Sequence, residues 1–340
     1  MTGAAAFRDG LRRVNGAPLL LAGMCLVTLL LALPLSLALR GMLAAQLGAS
    51  LVAERVASGA DYQWWQEFLS QASGLGTTFR PSIVGFGAVL DNIDALLDNR
   101  PLAATIAGAT AAWLLVWSFL SGGVIDRLAR NRPTRTAGFF AAAGVHFWRF
   151  LRVGAVALVV YSFLFGWVHR WLFDDLYEQL TRDVTVERTA LIIRLGCYLL
   201  FAALLMIVSI TFDYARVRIV VEDRRRALGS IAASIRFVRR HFARASTLYV
   251  LNALAFLSVA MLYALFSPGA PGSGLVMWMV LLLGQAYIVA RHYLKLVFYA
   301  SETSLFQSVL AHADYTAAPV IEWPDSPAAE SITNADPIAP

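Results

Sequence analysis

The sequence predicts an all-α integral membrane protein: six transmembrane helices, amphipathic helices on the cytoplasmic side and a small extracytoplasmic helical cap. Three observations carry this. Of 340 residues 59% are hydrophobic and only 15% charged, with a mean hydropathy of +0.63, whereas a soluble domain carries about 25% charge. The deficit arises from long uncharged runs, most of them near the ~20 residues that a helix needs to cross a ~30 Å hydrocarbon core. Finally, the basic residues, 27 arginines and one lysine, crowd into alternate connections between those runs.

Residues 1–16 form a basic N-terminus with Arg8, Arg12 and Arg13 against Asp9. The apolar run 17–39 is too long for the ~7–15-residue core of a signal peptide, and the Ala-Gly-Met before Cys25 does not fit a lipoprotein cleavage site. It reads as a retained first span, with Pro34 as a place to bend. Residues 40–101 form the one sizeable extracytoplasmic segment. Leu43, Leu47, Leu51 and Val52 share one side of an expected helix over 41–57, and Leu90, Ile93 and Leu97 do so over 83–98. Between them lie Trp64, Trp65, Phe68 and the turn-rich Ser73-Gly74-Leu75-Gly76. With so small a core this segment is expected to pack on the membrane surface as a cap rather than fold alone.

Further spans are expected at 102–123, 153–173, 190–211, 246–266 and 275–300. They are joined by a cytoplasmic basic loop 124–152, an extracytoplasmic loop 174–189, an arginine-rich cytoplasmic segment 212–245 and an extracytoplasmic loop 267–274. The charges set the orientation. The N-terminus has three arginines, loop 124–152 six and segment 212–245 nine. Residues 40–101 have four against six acids, and residues 170–189 three against five. Positive charge stays inside, so both termini are expected in the cytoplasm, with the tail 301–340 ending in a disordered, Pro-rich stretch. In the last run, Leu275–Ala290 spans only about 24 Å, so the helix is expected to continue past Arg291, His292 and Lys295.

The stretch from Asp213 to Arg244 is the most patterned. Leu228, Ile231, Ile235, Val238 and Phe242 recur at three and four residues, with Arg236, Arg240 and Arg244 on the opposite flank. A basic amphipathic helix beside membrane spans lies naturally on an anionic leaflet. Arg225, Arg236, Arg239, Arg240 and Arg244 are therefore the candidate contacts for anionic headgroups or for a membrane-protein partner. Loop 124–152 ends in a similar pattern. Ala142, Ala143, Val145, Phe147 and Arg149 align with Ala232, Ala233, Ile235, Phe237 and Arg239 at a shift of 90 residues, which suggests a duplicated span–helix–span unit.

No catalytic signature is found: no GxSxG, HExxH, phosphate-binding loop or paired-cysteine motif. Gly85-Phe86-Gly87 lacks a third glycine, and Cys25 and Cys197, both inside spans, suit apolar packing rather than a disulfide. The histidines at 146, 169, 241, 292 and 312 are scattered. Asp91, Asp94 and Asp98 share a helical face but lack the six or more oxygens that Ca²⁺ takes. No cofactor or metal is expected, and the high pI of 9.6 reflects topology rather than nucleic-acid binding. Polar groups inside the spans are costly and mark function by default: Arg194, Asn252, Gln285 and Arg291 are the candidates.

The run FDYARVRIVVEDRRRALGSIAASIRFVRRH, with Asp213, Arg216 and Glu222, and the closing ARHYLKLVFYASETSLFQ resemble a recurring piece of uncharacterised bacterial multi-pass membrane proteins. These are similar in layout to the membrane domain fused to some glycerophosphodiester phosphodiesterases. The resemblance implies about six spans and no known chemistry; the phosphodiesterase domain itself is absent. The function expected from sequence is a non-catalytic scaffold or accessory subunit of a bacterial inner membrane, holding anionic lipid or a membrane partner. The alternative is a transporter or channel component with a polar path near Arg194, Gln285 and Arg291.

Overall fold

The computed structural model describes residues 1–48, 50–58, 61–79, 93–95, 97–99, 104–267 and 274–312. Most of the helix expected over 83–98, with Leu90 and Asp91, most of the loop 267–274 and the tail beyond residue 312 lie outside them. No strand occurs among the described residues. The helices are α1 (Gly3–Asn15), α2 (Pro18–Leu47), α3 (Ala53–Ser58), α4 (Tyr62–Gln71), α5 (Ala104–Arg130), α6 (Thr136–Phe163), α7 (Glu187–Val221), α8 (Ala227–Arg240), α9 (Phe242–Phe266) and α10 (Leu275–His312). α6 runs on through two π-helical turns, Leu164–Val168 and Trp171–Leu176, to Thr181. Six helices are long and apolar enough to cross a membrane: α2, α5, α6 with its extension, α7, α9 and α10. This is the organisation of a multi-pass membrane protein.

Local sequence explains the breaks. Pro18 opens α2 at a position where its missing N–H costs nothing, and Asp61 caps α4 by accepting from the Trp64 N–H at 3.0 Å. Asn131 and Asp223 adopt left-handed φ values of 49° and 46°, conformations that Asn and Asp tolerate better than most residues, and they turn the chain after α5 and α7. The two units thus share a long helix, a left-handed turn and a second helix. They differ in that α6 is continuous while the second unit breaks at His241 between α8 and α9. Trp64, Phe68 and Phe79 pack together beside the short turn Gly74–Thr78.

Packing is concentrated at one end of the bundle, where α1 lies along the last turns of α10. The principal core joins Val14, Ile125, Leu128, Phe150, Ile219 and Leu296, and a second joins Ala6, Ile210, Tyr214, Phe237, Leu248 and Phe306. Toward the other end Leu29, Leu30, Leu265, Phe266 and Leu282 are more than half exposed, while Tyr263 of α9 stacks on Tyr287 of α10 at 4.2 Å. Such exposure suits lipid-facing surface, because a bilayer adds no hydrophobic drive to close the helices on one another.

Three segments depart from the sequence reading. α2 continues past residue 39 to Leu47, so the helix expected over 41–57 is divided between α2 and α3. Residues 301–306, expected to begin a tail, continue α10 and are all buried. The N-terminus is a clamped helix. Arg13 bonds Asp9 at 2.8 Å, the Leu128 carbonyl at 3.0 Å and Gln307 at 2.8 Å, while Ser304 donates to Asp9 at 2.7 Å. Burial pushes the Asp9 carboxyl up, but the Ser304 hydroxyl and the Arg13 guanidinium outweigh it and hold the group below its ordinary value. Gly10 allows the close approach: a Cβ there would stand 2.8 Å from both the Ser301 nitrogen and its Cβ. Alanine would gain up to about 1 kcal/mol of helix propensity, yet it must push α1 off a backbone that cannot yield. Gly10→Ala is therefore expected to cost a net ~1–2 kcal/mol, read as a lower unfolding midpoint with loss of amide protection across α1.

α8 forms over the patterned stretch but ends at Arg240, so that Phe242 opens α9. Its small face, Ala227, Ser230, Ala233 and Ser234, is buried with Phe237 and Val238, leaving Leu228, Ile235 and Phe242 exposed. Small side chains let α8 approach α7, to whose Thr211 carbonyl Ser234 donates at 2.7 Å.

Candidate functional site

A cavity of about 650 Å³ opens among α2, α5, α6, α7, α9 and α10. Its polar groups come chiefly from two helical faces. Ser209, Asp213 and Arg216 follow at four and three residues on α7, and Arg291, Lys295 and Glu302 at four and seven on α10, so each set projects to one side. Phe212, Phe256, Ile288, Leu294 and Phe298 supply apolar wall, and Tyr161, Tyr249 and Tyr299 add phenols. Phe256, Ile288 and Arg291 are exposed and mark the mouth; Glu302, 2% exposed, lies deepest.

The charges are unevenly satisfied. Arg216 bonds Asp213 at 3.1 Å, both side chains about a quarter exposed or less. Lys295 and Arg291 have no carboxylate within ion-pair distance among the described residues; both rest on aromatic faces. The Lys295 ammonium stands 3.8 Å from the Trp117 ring centre and 5.5 Å from that of Trp113, and the Arg291 guanidinium lies over Phe256 at 5.6 Å and Tyr287 at 5.5 Å. A desolvated cation–π contact stabilises by about 2 kcal/mol, less than the several kcal/mol that desolvating an ion costs. These cations therefore need water or an anion beside them. Glu302 likewise has no cation within ion-pair distance, and one of its carboxylate oxygens is buried without a partner.

The remaining polar groups hold the wall. Trp117 donates to the Tyr299 hydroxyl at 3.2 Å, and the Tyr161 and Ser209 hydroxyls are 2.8 Å apart. Thr28 donates to the Met24 carbonyl at 2.9 Å and sits 3.0 Å from His292 Nε2. With the hydroxyl proton already engaged, the imidazole must donate through Nε2.

The four intramembrane candidates fall in different places. Arg291 lines the mouth. Asn252 is 2% exposed behind the cavity, donating to the Leu248 carbonyl at 3.1 Å and to Ser301 at 3.0 Å, with its own oxygen unpartnered. Gln285 is on an exposed face of α10, outside the cavity lining. Arg194 is about half exposed near the start of α7, bonded to the Tyr198 hydroxyl at 3.2 Å and 4.0 Å from Asp98. The candidate surface arginines, Arg225, Arg236, Arg239, Arg240 and Arg244, are all exposed, and none has a carboxylate within ion-pair distance among the described residues. No group of three potential metal ligands occurs among the described residues.

The chain matches no protein-family model, no curated protein and no solved structure. The site therefore rests on its own geometry. Sequence reading passed over Asp213, Arg216, Lys295 and Glu302 as a site, because each lies near the polar end of a span, where charge is ordinary. The signal was the i, i+4, i+11 series Arg291, Lys295, Glu302 on one helical face, holding the only lysine of the chain.

Proposed function

We propose that this chain is a transporter component, or a receptor of the same build, that takes an organic anion with apolar substituents into its intramembrane cavity. One observation carries the reading: two cations, Arg291 and Lys295, face a cavity among the spans with no carboxylate paired to them among the described residues. A third, Arg216, is paired with Asp213. Intramembrane charges of this kind mark substrate paths, and an anion is the chemistry that three cations against two carboxylates would take up. The apolar and aromatic wall suits a hydrocarbon portion. Of the polar path near Arg194, Gln285 and Arg291, this reading keeps Arg291 and adds Lys295 and Arg216.

The setting is a bacterial inner membrane with both termini in the cytoplasm, supported by the arginine distribution; residues 40–101 then form an extracytoplasmic cap. The resemblance to uncharacterised bacterial multi-pass proteins fits this reading. A second role is supported by α8. Its unpaired arginines flank the exposed Leu228, Ile235 and Phe242, a surface suited to anionic lipid at the inner leaflet or to an acidic membrane partner, as a scaffold or accessory subunit would need.

Cysteine labelling tests the cavity. With Cys25 and Cys197 replaced by alanine, Ile288→Cys at the mouth and Ser209→Cys inside should both react with a water-soluble maleimide. Octyl phosphate should slow Ser209→Cys several-fold. A Ser209→Cys that stays inert while Ile288→Cys reacts would mean that the cavity is closed to aqueous solutes.

A further inference from the structure

A second cavity, of about 520 Å³, lies where the start of α2 meets the end of α5 and the α5–α6 turn. At its polar end is Arg127, 8% exposed. Its Nη2 donates to the Gly16 carbonyl at 3.1 Å, but Nη1 is buried with no partner. No carboxylate lies within ion-pair distance of it among the described residues. The adjacent Asp126 is engaged by Arg130 at 2.9 Å. A guanidinium buried this far without a counter-charge is unfavourable unless something outside the chain supplies one.

The rest of the cavity indicates what that is. From Arg127, α5 leads back through Val124 and Leu120. From Gly16, α2 leads forward through Leu20, Met24 and Val27. Both apolar walls thus leave the guanidinium in the same direction, toward the middle of the spans. From Ala17 to Val27 the trough is about 15 Å long at 1.5 Å per residue, half of a ~30 Å hydrocarbon core. It is one leaflet deep, with a cation at its outer end. Gly23 lines the trough, and a Cβ built there meets nothing within 4 Å. Thr134 and Thr136 border the cation's end and offer hydroxyl donors.

We infer that this groove is a binding site for an anionic phospholipid, one acyl chain lying between α2 and α5 and the headgroup phosphate paired with Arg127. Phosphate takes two parallel N–H bonds from a guanidinium, and Nη1 is the donor left unused. The site is separate from the central cavity and does not depend on what that cavity carries.

The test is native mass spectrometry of the full chain from mild detergent, with equal dioleoylphosphatidylglycerol and dioleoylphosphatidylcholine added. The wild type should retain one phosphatidylglycerol in preference, by roughly tenfold, the worth of one charge-assisted contact. Arg127→Gln keeps a donor for the Gly16 carbonyl and should bring the ratio near one. Gly23→Phe fills open space, leaves the fold and Arg127 intact, and should lower retention of both lipids. An unchanged lipid ratio in folded Arg127→Gln would overturn the site, as would unchanged retention in Gly23→Phe. Full displacement of the lipid by millimolar inorganic phosphate would reassign Arg127 to a free anion and equally overturn the lipid.

Discussion

Arg216→Met is expected to destabilise the protein by about 3 kcal/mol, and Asp213→Asn in the same chain to restore most of the loss. Asp213 and Arg216 stand one turn apart on α7 with side chains 20% and 27% exposed. Removing one partner of such a pair leaves an uncompensated charge, which costs ~3–5 kcal/mol when burial is complete; residual solvent access at this pair places the effect at the low end. The cost is local to Asp213, because neither Lys295 nor Arg291 stands within ion-pair distance of it among the described residues. Neutralising both members removes the conflict, and buried pairs replaced together are often neutral in stability. Asp213→Asn alone should fall between the two, since the asparagine oxygen can still accept from Arg216. Denaturant titration of the four proteins in detergent gives the comparison. A single Arg216→Met no less stable than the double variant would mean that water satisfies the Asp213 carboxylate once its partner is gone.

The spans were legible because length and hydropathy are properties of one segment at a time: an apolar run near 20 residues is a membrane helix whatever surrounds it. Packing depends on pairs of segments and was less visible. α1 reads as a short basic terminus, yet Gly3, Ala6 and Gly10 fall on one face, and that small-residue face is what lets it lie against α9 and α10. In α8 the sequence pattern did not show that the Ala/Ser face, with Phe237 and Val238, would be the side buried in the bundle, as happens where close backbone approach decides packing in a membrane. The site follows the same rule. Each polar face, Ser209–Asp213–Arg216 and Arg291–Lys295–Glu302, can be drawn from its own helix. That α7 and α10 turn those faces toward each other cannot be drawn from either.

Lys295→Met is expected to weaken binding of an amphiphilic anion such as dodecyl phosphate by roughly 10- to 100-fold while leaving the fold intact. The ammonium makes no ion pair among the described residues; it is held over Trp117 at 3.8 Å, so its loss orphans no described carboxylate within 4 Å and methionine can occupy the same aromatic seat. What is lost is a charge-assisted contact to the ligand, about 1.5–3 kcal/mol, and the fold-change is that energy at about 1.4 kcal/mol per decade. Trp113 and Trp117, stacked at 6.0 Å beside the ammonium, provide the readout, because an anion that draws Lys295 away should change their emission saturably. Lys295→Arg keeps the charge but replaces a compact ammonium by a planar fork, and should retain most of the affinity. Arg291→Gln should add to the Lys295 effect, since its guanidinium stands at the mouth over different rings. Equal affinity in wild type and Lys295→Met would leave the lysine as wall rather than ligand contact, and would move the anion site toward Arg291.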